Sequence, residues 1–163
     1  MAKAKLLVGA RVHPSGPLLM SIDVSLRSAG DRVLEPPPER SLIASYRHTF
    51  ADLALAIDEA FGRWELGRLR EFEFDDGTRV GDLGQRNHGP GCLDYRRARL
   101  QRLRVGERFS YTFHSGDGWV HACTCAGPVD LDDVRADHPG HPVVYQSRIA
   151  LTRSLRSLRS GES

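Results

Sequence analysis

Cysteine is scarce in this 163-residue chain, and the three present, Cys92, Cys123 and Cys125, are an odd number. A disulfide framework is therefore excluded as the organising device, and reduced thiols in a cytoplasmic setting fit better. Lysine is scarcer still. Of 23 basic residues only Lys3 and Lys5 are lysine; the rest are arginine. Against 21 acidic residues this leaves a formal net charge of +2, too small for the strongly basic balance of most nucleic-acid binders. No apolar run approaches the ~20 residues that a membrane-spanning helix needs. Met1 to Val12 places Lys3 and Lys5 ahead of Leu6, Leu7 and Val8, much as a secretory leader would. That run is too short, and Arg11 interrupts it, so an extra edge strand or an arm is expected instead. No internal repeat is visible. Gly84 to Gly91 lacks the Lys and the Ser or Thr of a phosphate-binding loop. Helix-turn-helix, zinc-finger and RNP-type patterns are missing too.

What is present suits one soluble α+β domain. The chain is 40% hydrophobic and 27% charged, enough to bury a core. Residues 1–17 are expected to be an arm or extra strand, 18–145 the domain, and 146–163 a basic Ser/Arg/Leu tail. Leu18, Met20, Ile22, Val24 and Leu26 alternate with Leu19, Ser21, Asp23 and Ser25, the period of a strand with one buried face. Pro36, Pro37 and Pro38 predict an extended, unpaired link. Ser41 to Tyr46 reads as a short second strand. Thr49 and Asp52 then form a capping-box pattern ahead of a helix. Phe50, Leu53, Ala54, Ile57, Ala60 and Phe61 make its apolar stripe, with Asp52, Asp58 and Glu59 mostly on the other side. Gly62 stands where a left-handed C-cap is wanted.

Further on, Leu69 to Phe74 is expected as a strand that turns at Asp75-Asp76-Gly77 and returns at Thr78 to Val80. The strongest hairpin signal follows. Phe109, Tyr111 and Phe113 alternate with polar residues before a five-residue turn, His114 to Gly118. Trp119, His121, Cys123 and Cys125 alternate after it. Pairing across that turn puts both sets on one aromatic face that belongs in the core, beneath the helix stripe.

This order of elements resembles the plasmid pRiA4b ORF-3-like family. The likeness covers roughly Met20 to Cys125. It is carried by Thr49-Phe50-Ala51-Asp52-Leu53 through Ala60-Phe61-Gly62 and Trp64, and by Leu69-Arg70-Glu71-Phe72-Glu73-Phe74. It continues in Leu93-Asp94, Leu100, Leu103 and Gly106-Glu107-Arg108-Phe109-Ser110-Tyr111-Thr112-Phe113, then Gly116-Asp117, Trp119 and His121. The chain departs from the family's pattern at Phe113-His114-Ser115, at Glu39, where a tryptophan is common, and in its ending. The resemblance implies an α+β domain of bacterial or archaeal origin, often encoded on plasmids or beside transposable elements. It implies no particular activity.

Two groups of residues could carry chemistry. His114, Asp117, His121 and Cys123, with His88 and Cys92 from elsewhere, are ligand types for zinc. His121 held by Asp117 could also serve as an acid or base. Geometry restricts the metal idea, because His121 to Cys125 spans ~13 Å along a strand, while Zn–S bonds are ~2.3 Å. The family resemblance implies an aliphatic residue at Cys123, hence a small buried hydrophobe, and no cofactor is the simpler expectation. The second group is Arg96, Arg97, Arg99, Arg102, Arg104 and Arg108, with Tyr95 and Tyr111 as stacking partners and tail arginines Arg148, Arg153, Arg156 and Arg159 nearby in function. The function expected is therefore a binding or accessory protein that meets a protein or nucleic-acid partner. The alternative is a metal-dependent enzyme around residues 114–125. A structural subunit whose free edge strand docks a partner is a third option.

Overall fold

The computed structural model describes residues 19–63, 69–84, 91–115, 117–129 and 150–152, with the backbone alone described at 115, 117 and 150–152. In chain order they form β1 (Leu19–Ala29), β2 (Arg32–Val33), β3 (Glu39–Ser45), α1 (Phe50–Ala60), β4 (Leu69–Phe74), β5 (Arg79–Gly81), β6 (Leu93–Asp94), a 3-10 turn (Leu100–Arg102), β7 (Arg108–Ser115), β8 (Asp117–Val129) and β9 (Ala150–Thr152). Among the described residues the strands make one nine-stranded sheet, ordered β6-β5-β4-β7-β8-β1-β3-β9, with β2 attached to β1. Every pairing is antiparallel except β5 with β6. With α1 packed on one face of the sheet, the architecture is α+β.

Local chemistry sets α1. The Thr49 hydroxyl accepts from the Asp52 N–H at 3.2 Å, and the Asp52 carboxylate accepts from the Thr49 N–H at 2.9 Å. Two donors that the first turn would leave open are thereby satisfied. At the other end Gly62 takes φ +75°, a conformation that glycine adopts without strain. The stripe of Phe50, Leu53, Ala54 and Ile57 is buried. Phe50 meets Phe72 at 5.2 Å and Phe109 at 6.4 Å between ring centroids, both edge to face. A truncation of so buried an aromatic costs about 3–5 kcal/mol.

The β7–β8 hairpin pairs Phe109 with Cys123, Tyr111 with His121 and Phe113 with Trp119. This is the shared face that the alternation requires, and it lies under the helix. Three expectations are corrected. The five-residue turn is tighter than expected: pairing runs on through His114–Gly118 and Ser115–Asp117, which satisfies backbone groups that a wider turn would leave to water. The proline link is not unpaired, because the Pro38 carbonyl accepts from the Leu26 N–H at 2.9 Å; proline lacks a donor but keeps its acceptor. Within the stretch expected as a tail, Ala150–Thr152 pair with Ser41–Ile43 of β3. The arm at 1–17 lies outside the described residues.

Candidate functional site

His121 is fully buried, because β8 alternation turns it to the core side with Cys123 and Cys125. Its Nδ1 donates to the Tyr111 carbonyl at 3.0 Å, and its Nε2 accepts from the Arg63 guanidinium at 2.5 Å. Both ring nitrogens are thus engaged, and Phe61 lies 5.2 Å away, edge to face. Burial first, and the Arg63 charge second, lower its pKa to about 4. Such a ring stays neutral near pH 7 and has no lone pair left for a metal. Cys123 is 1% exposed, and burial alone pushes its thiol well up. Cys125 is shifted the same way, again chiefly by burial.

Two further members of the zinc set, His114 and Cys92, do not gather there. His114 is exposed, and strand alternation puts it on the face opposite Phe113. The backbone of Asp117 pairs with Ser115, while His88 lies outside the described residues. Cys92 precedes β6, four strands along the sheet from β8, or ~19 Å at the usual strand spacing. Among the described residues no three His, Cys, Asp or Glu side chains converge.

What surrounds His121 instead is an ion cluster that the chain pattern did not announce. Asp58, expected on the outer side of α1, is 2% exposed. It accepts from the Tyr111 hydroxyl at 2.9 Å and from Arg70 Nε at 2.7 Å, and Arg63 Nε stands 3.7 Å away. Burial pushes the Asp58 carboxyl up, against the downward pull of Arg70, Tyr111 and Arg63. Burial and the Asp58 charge together raise Tyr111 well above its ordinary value. The Arg63 guanidinium lies over Phe113 at 5.0 Å and Trp119 at 5.2 Å, where cation–π attraction helps offset desolvation. The available signal was position: Asp58 follows Ala54 by four residues and precedes Phe61 by three, at the border of the apolar stripe. This cluster ties the end of α1 to β4, β7 and β8. One carboxylate offsets part of the charge of two guanidiniums, and hydrogen bonds and ring faces meet the rest, which is structural chemistry.

The arginines of residues 96–108 are arranged differently. Tyr95, Leu100 and Leu103 are buried and pin the segment to the domain. Its backbone is laced to the α1 entry: Phe50 N–H donates to Ala98 O, Ala51 N–H to Tyr95 O, Leu100 N–H to His48 O and Gln101 N–H to Tyr46 O, all at 2.8–3.0 Å. Arg96, Arg97, Arg99, Arg102, Arg104 and Arg108 are all exposed. Two of them serve the fold. Arg96 grips buried Asp82 at 2.6 and 3.2 Å, which holds that carboxyl below its usual range, and Arg97 pairs with Asp94 at 3.9 Å. Arg99 donates to the Arg47 carbonyl at 2.6 Å, adding exposed Arg47 to the same ridge. The expected stacking partners are not available: Tyr95 is 8% exposed with its hydroxyl on Asp82, and Tyr111 is fully buried.

The sequence model of the plasmid pRiA4b ORF-3-like proteins matches residues 20–148. The chain belongs to that family. The ion cluster and the arginine ridge both fall inside the matched span. In the family's fold, a crystal structure described as a protein of unknown function, MM3350, from Methanosarcina mazei Go1 superposes with a TM-score of 0.55 at 20% identity, over 72% of this chain and 65% of that one. This pRiA4b ORF-3-like chain therefore spans just under two thirds of that protein's length, and the likeness speaks for the fold. No curated protein matches the chain. Among the described residues no helix is long and apolar enough to cross a membrane.

Proposed function

We propose that the chain is a binding protein whose partner is a polyanion, taken by the arginine ridge. The observation that carries this reading is the ridge's construction. A segment anchored by Tyr95, Leu100 and Leu103 turns its arginines to solvent, so the backbone that bears the charges is already ordered and only side-chain freedom is lost when they meet phosphate or sulfate. Guanidinium groups suit such oxyanions because their donors form a flat fork. A nucleic-acid partner would suit a family whose description names a plasmid; plasmid association of this chain is part of the proposal. Against the alternative, a metal-dependent enzyme in the hairpin, stands the engagement of both His121 nitrogens and the burial of Cys123.

Chromatography on immobilised heparin tests the proposal. The wild-type protein is expected to bind at low salt and elute with a salt gradient, while Arg102→Glu with Arg104→Glu elutes markedly earlier. Passage of the wild-type protein through the column at low salt would sink the reading.

A further inference from the structure

Resting on that reading, we infer that the ridge takes the phosphate backbone of a nucleic-acid double helix, and that Arg47 of the β3–α1 loop is a contact residue with Arg99, Arg102 and Arg104. Arg47 belongs to the surface because two distant stretches are laid side by side. Arg99 Nη1 reaches the Arg47 carbonyl at 2.6 Å, while Leu100 N–H and Gln101 N–H bind the His48 and Tyr46 carbonyls. His48 and Leu100 are buried beneath them, at 5% and 0% exposure. The two loops therefore present their arginines from one firm support.

These four arginines form no ion pair among the described residues, whereas Arg96 and Arg97 are matched by Asp82 and Asp94. Nearby acids are few or committed. The Glu107 carboxylate accepts from the Arg104 N–H at 3.0 Å. Asp52 closes the capping box. Asp76, bound by the Thr78 N–H, feels Arg102 more weakly. Four arginines against these three acids leave a small local surplus of positive charge in a chain whose net charge is only +2.

The choice of duplex over single strand follows from the aromatics. Proteins that hold single strands stack bases on exposed rings. Among the described residues no Phe, Tyr or Trp side chain is exposed: Tyr95 and Tyr111 are buried, and Tyr46 is half-buried against the core. Arginines without a stacking platform read the backbone, where contact needs charge and donors alone. Binding should thus be independent of sequence and strongly salt-dependent.

Fluorescence anisotropy of the full chain tests this with a labelled mixed-sequence DNA duplex and each of its separate strands, over a salt series. The duplex is expected to bind more tightly than either strand, with affinity falling by roughly the third to fourth power of salt concentration for four contacts. Arg47→Ala with Arg99→Ala should weaken binding roughly tenfold or more and lower that power by about 2. Arg32→Ala, exposed in β2, should change neither. Should the Arg47/Arg99 variant melt early, Arg102→Ala with Arg104→Ala repeats the test with side chains that form no hydrogen bond or ion pair among the described residues. Tighter binding to the strands overturns the inference, as does unchanged affinity in both double variants; either result leaves heparin binding and the polyanion reading standing. A protein that binds neither heparin nor nucleic acid at low salt overturns both.

Discussion

The same residue type does opposite work in two parts of this molecule. Arg63 and Arg70 lie in the core around Asp58, with side chains 7% and 13% exposed. Arg102 and Arg104 of the ridge face water. In the core every charge is desolvated, so each must be matched by an opposite charge, a hydrogen bond or a ring face. On the ridge water solvates the guanidinium, so the fold asks little of it and it is free for a partner. Burial, then, commits an arginine to the fold, while an exposed one is left for a surface role unless a neighbouring acid takes it, as Asp82 and Asp94 take Arg96 and Arg97.

The largest effect expected from this contrast is on Asp58. Replacing it by alanine removes the acceptor used by Arg70 Nε and the Tyr111 hydroxyl, and the carboxylate that faces Arg63. A loss of about 3–5 kcal/mol in denaturant unfolding should follow. A loss under about 1 kcal/mol would break the comparison, since it would mean that water reaches the cluster.

Next comes pH. His121 is neutral in the folded chain, with its pKa lowered to about 4, while the unfolded chain takes up a proton near the ordinary histidine value of 6.5. Between those values the unfolded state binds more protons. The stability that neutral His121 contributes is therefore complete above about pH 6.5 and is lost as pH falls toward 4, by ~3 kcal/mol across the whole window. His48, depressed by burial, acts in the same sense. Asp58, raised by burial, acts oppositely: its contribution is present below its unfolded pKa and lost as pH rises through the folded one. Urea midpoints at pH 7.5 and pH 5 should differ in the wild type, and less so in His121→Phe. Equal pH dependence in the two proteins would refute the assignment to His121.

A smaller change is expected at the boundary of the two regions. Thr49→Ala removes one half of the capping box and should cost about 1 kcal/mol. Smallest of all, Arg97→Ala and Arg104→Ala should shift stability by less than about 0.5 kcal/mol. If Arg104→Ala destabilised the fold by several times that, the ridge would be structural and the contrast with the core would fail.

How much of this was legible in the chain depends on the range of each signal. The alternation of Phe109, Tyr111 and Phe113, and of Trp119, His121 and Cys123, is a local pattern that directly gives the buried face. The capping box and the Gly62 terminus are equally local. The ion cluster is not. Tyr111 and Asp58 are 53 residues apart, and no periodicity couples them. His121 looked chemically able for the same reason: residue type suggests a ligand or base, but only packing reveals Arg63 against its ring. Tyr95 and Tyr111 looked like stacking platforms until the fold buried them.

By itself the sequence determined the helix and its caps, the core face of the hairpin, the turn at Gly77 and the class of fold, because each rests on backbone preference or on apolar side chains recurring at the period of one element. Tertiary structure alone decided which arginines are buried and which are free, that Asp58 points inward, and that Arg47 stands beside Arg99. Those outcomes depend on desolvation and pairing between distant segments, and the energy of a charge is not settled until its surroundings are.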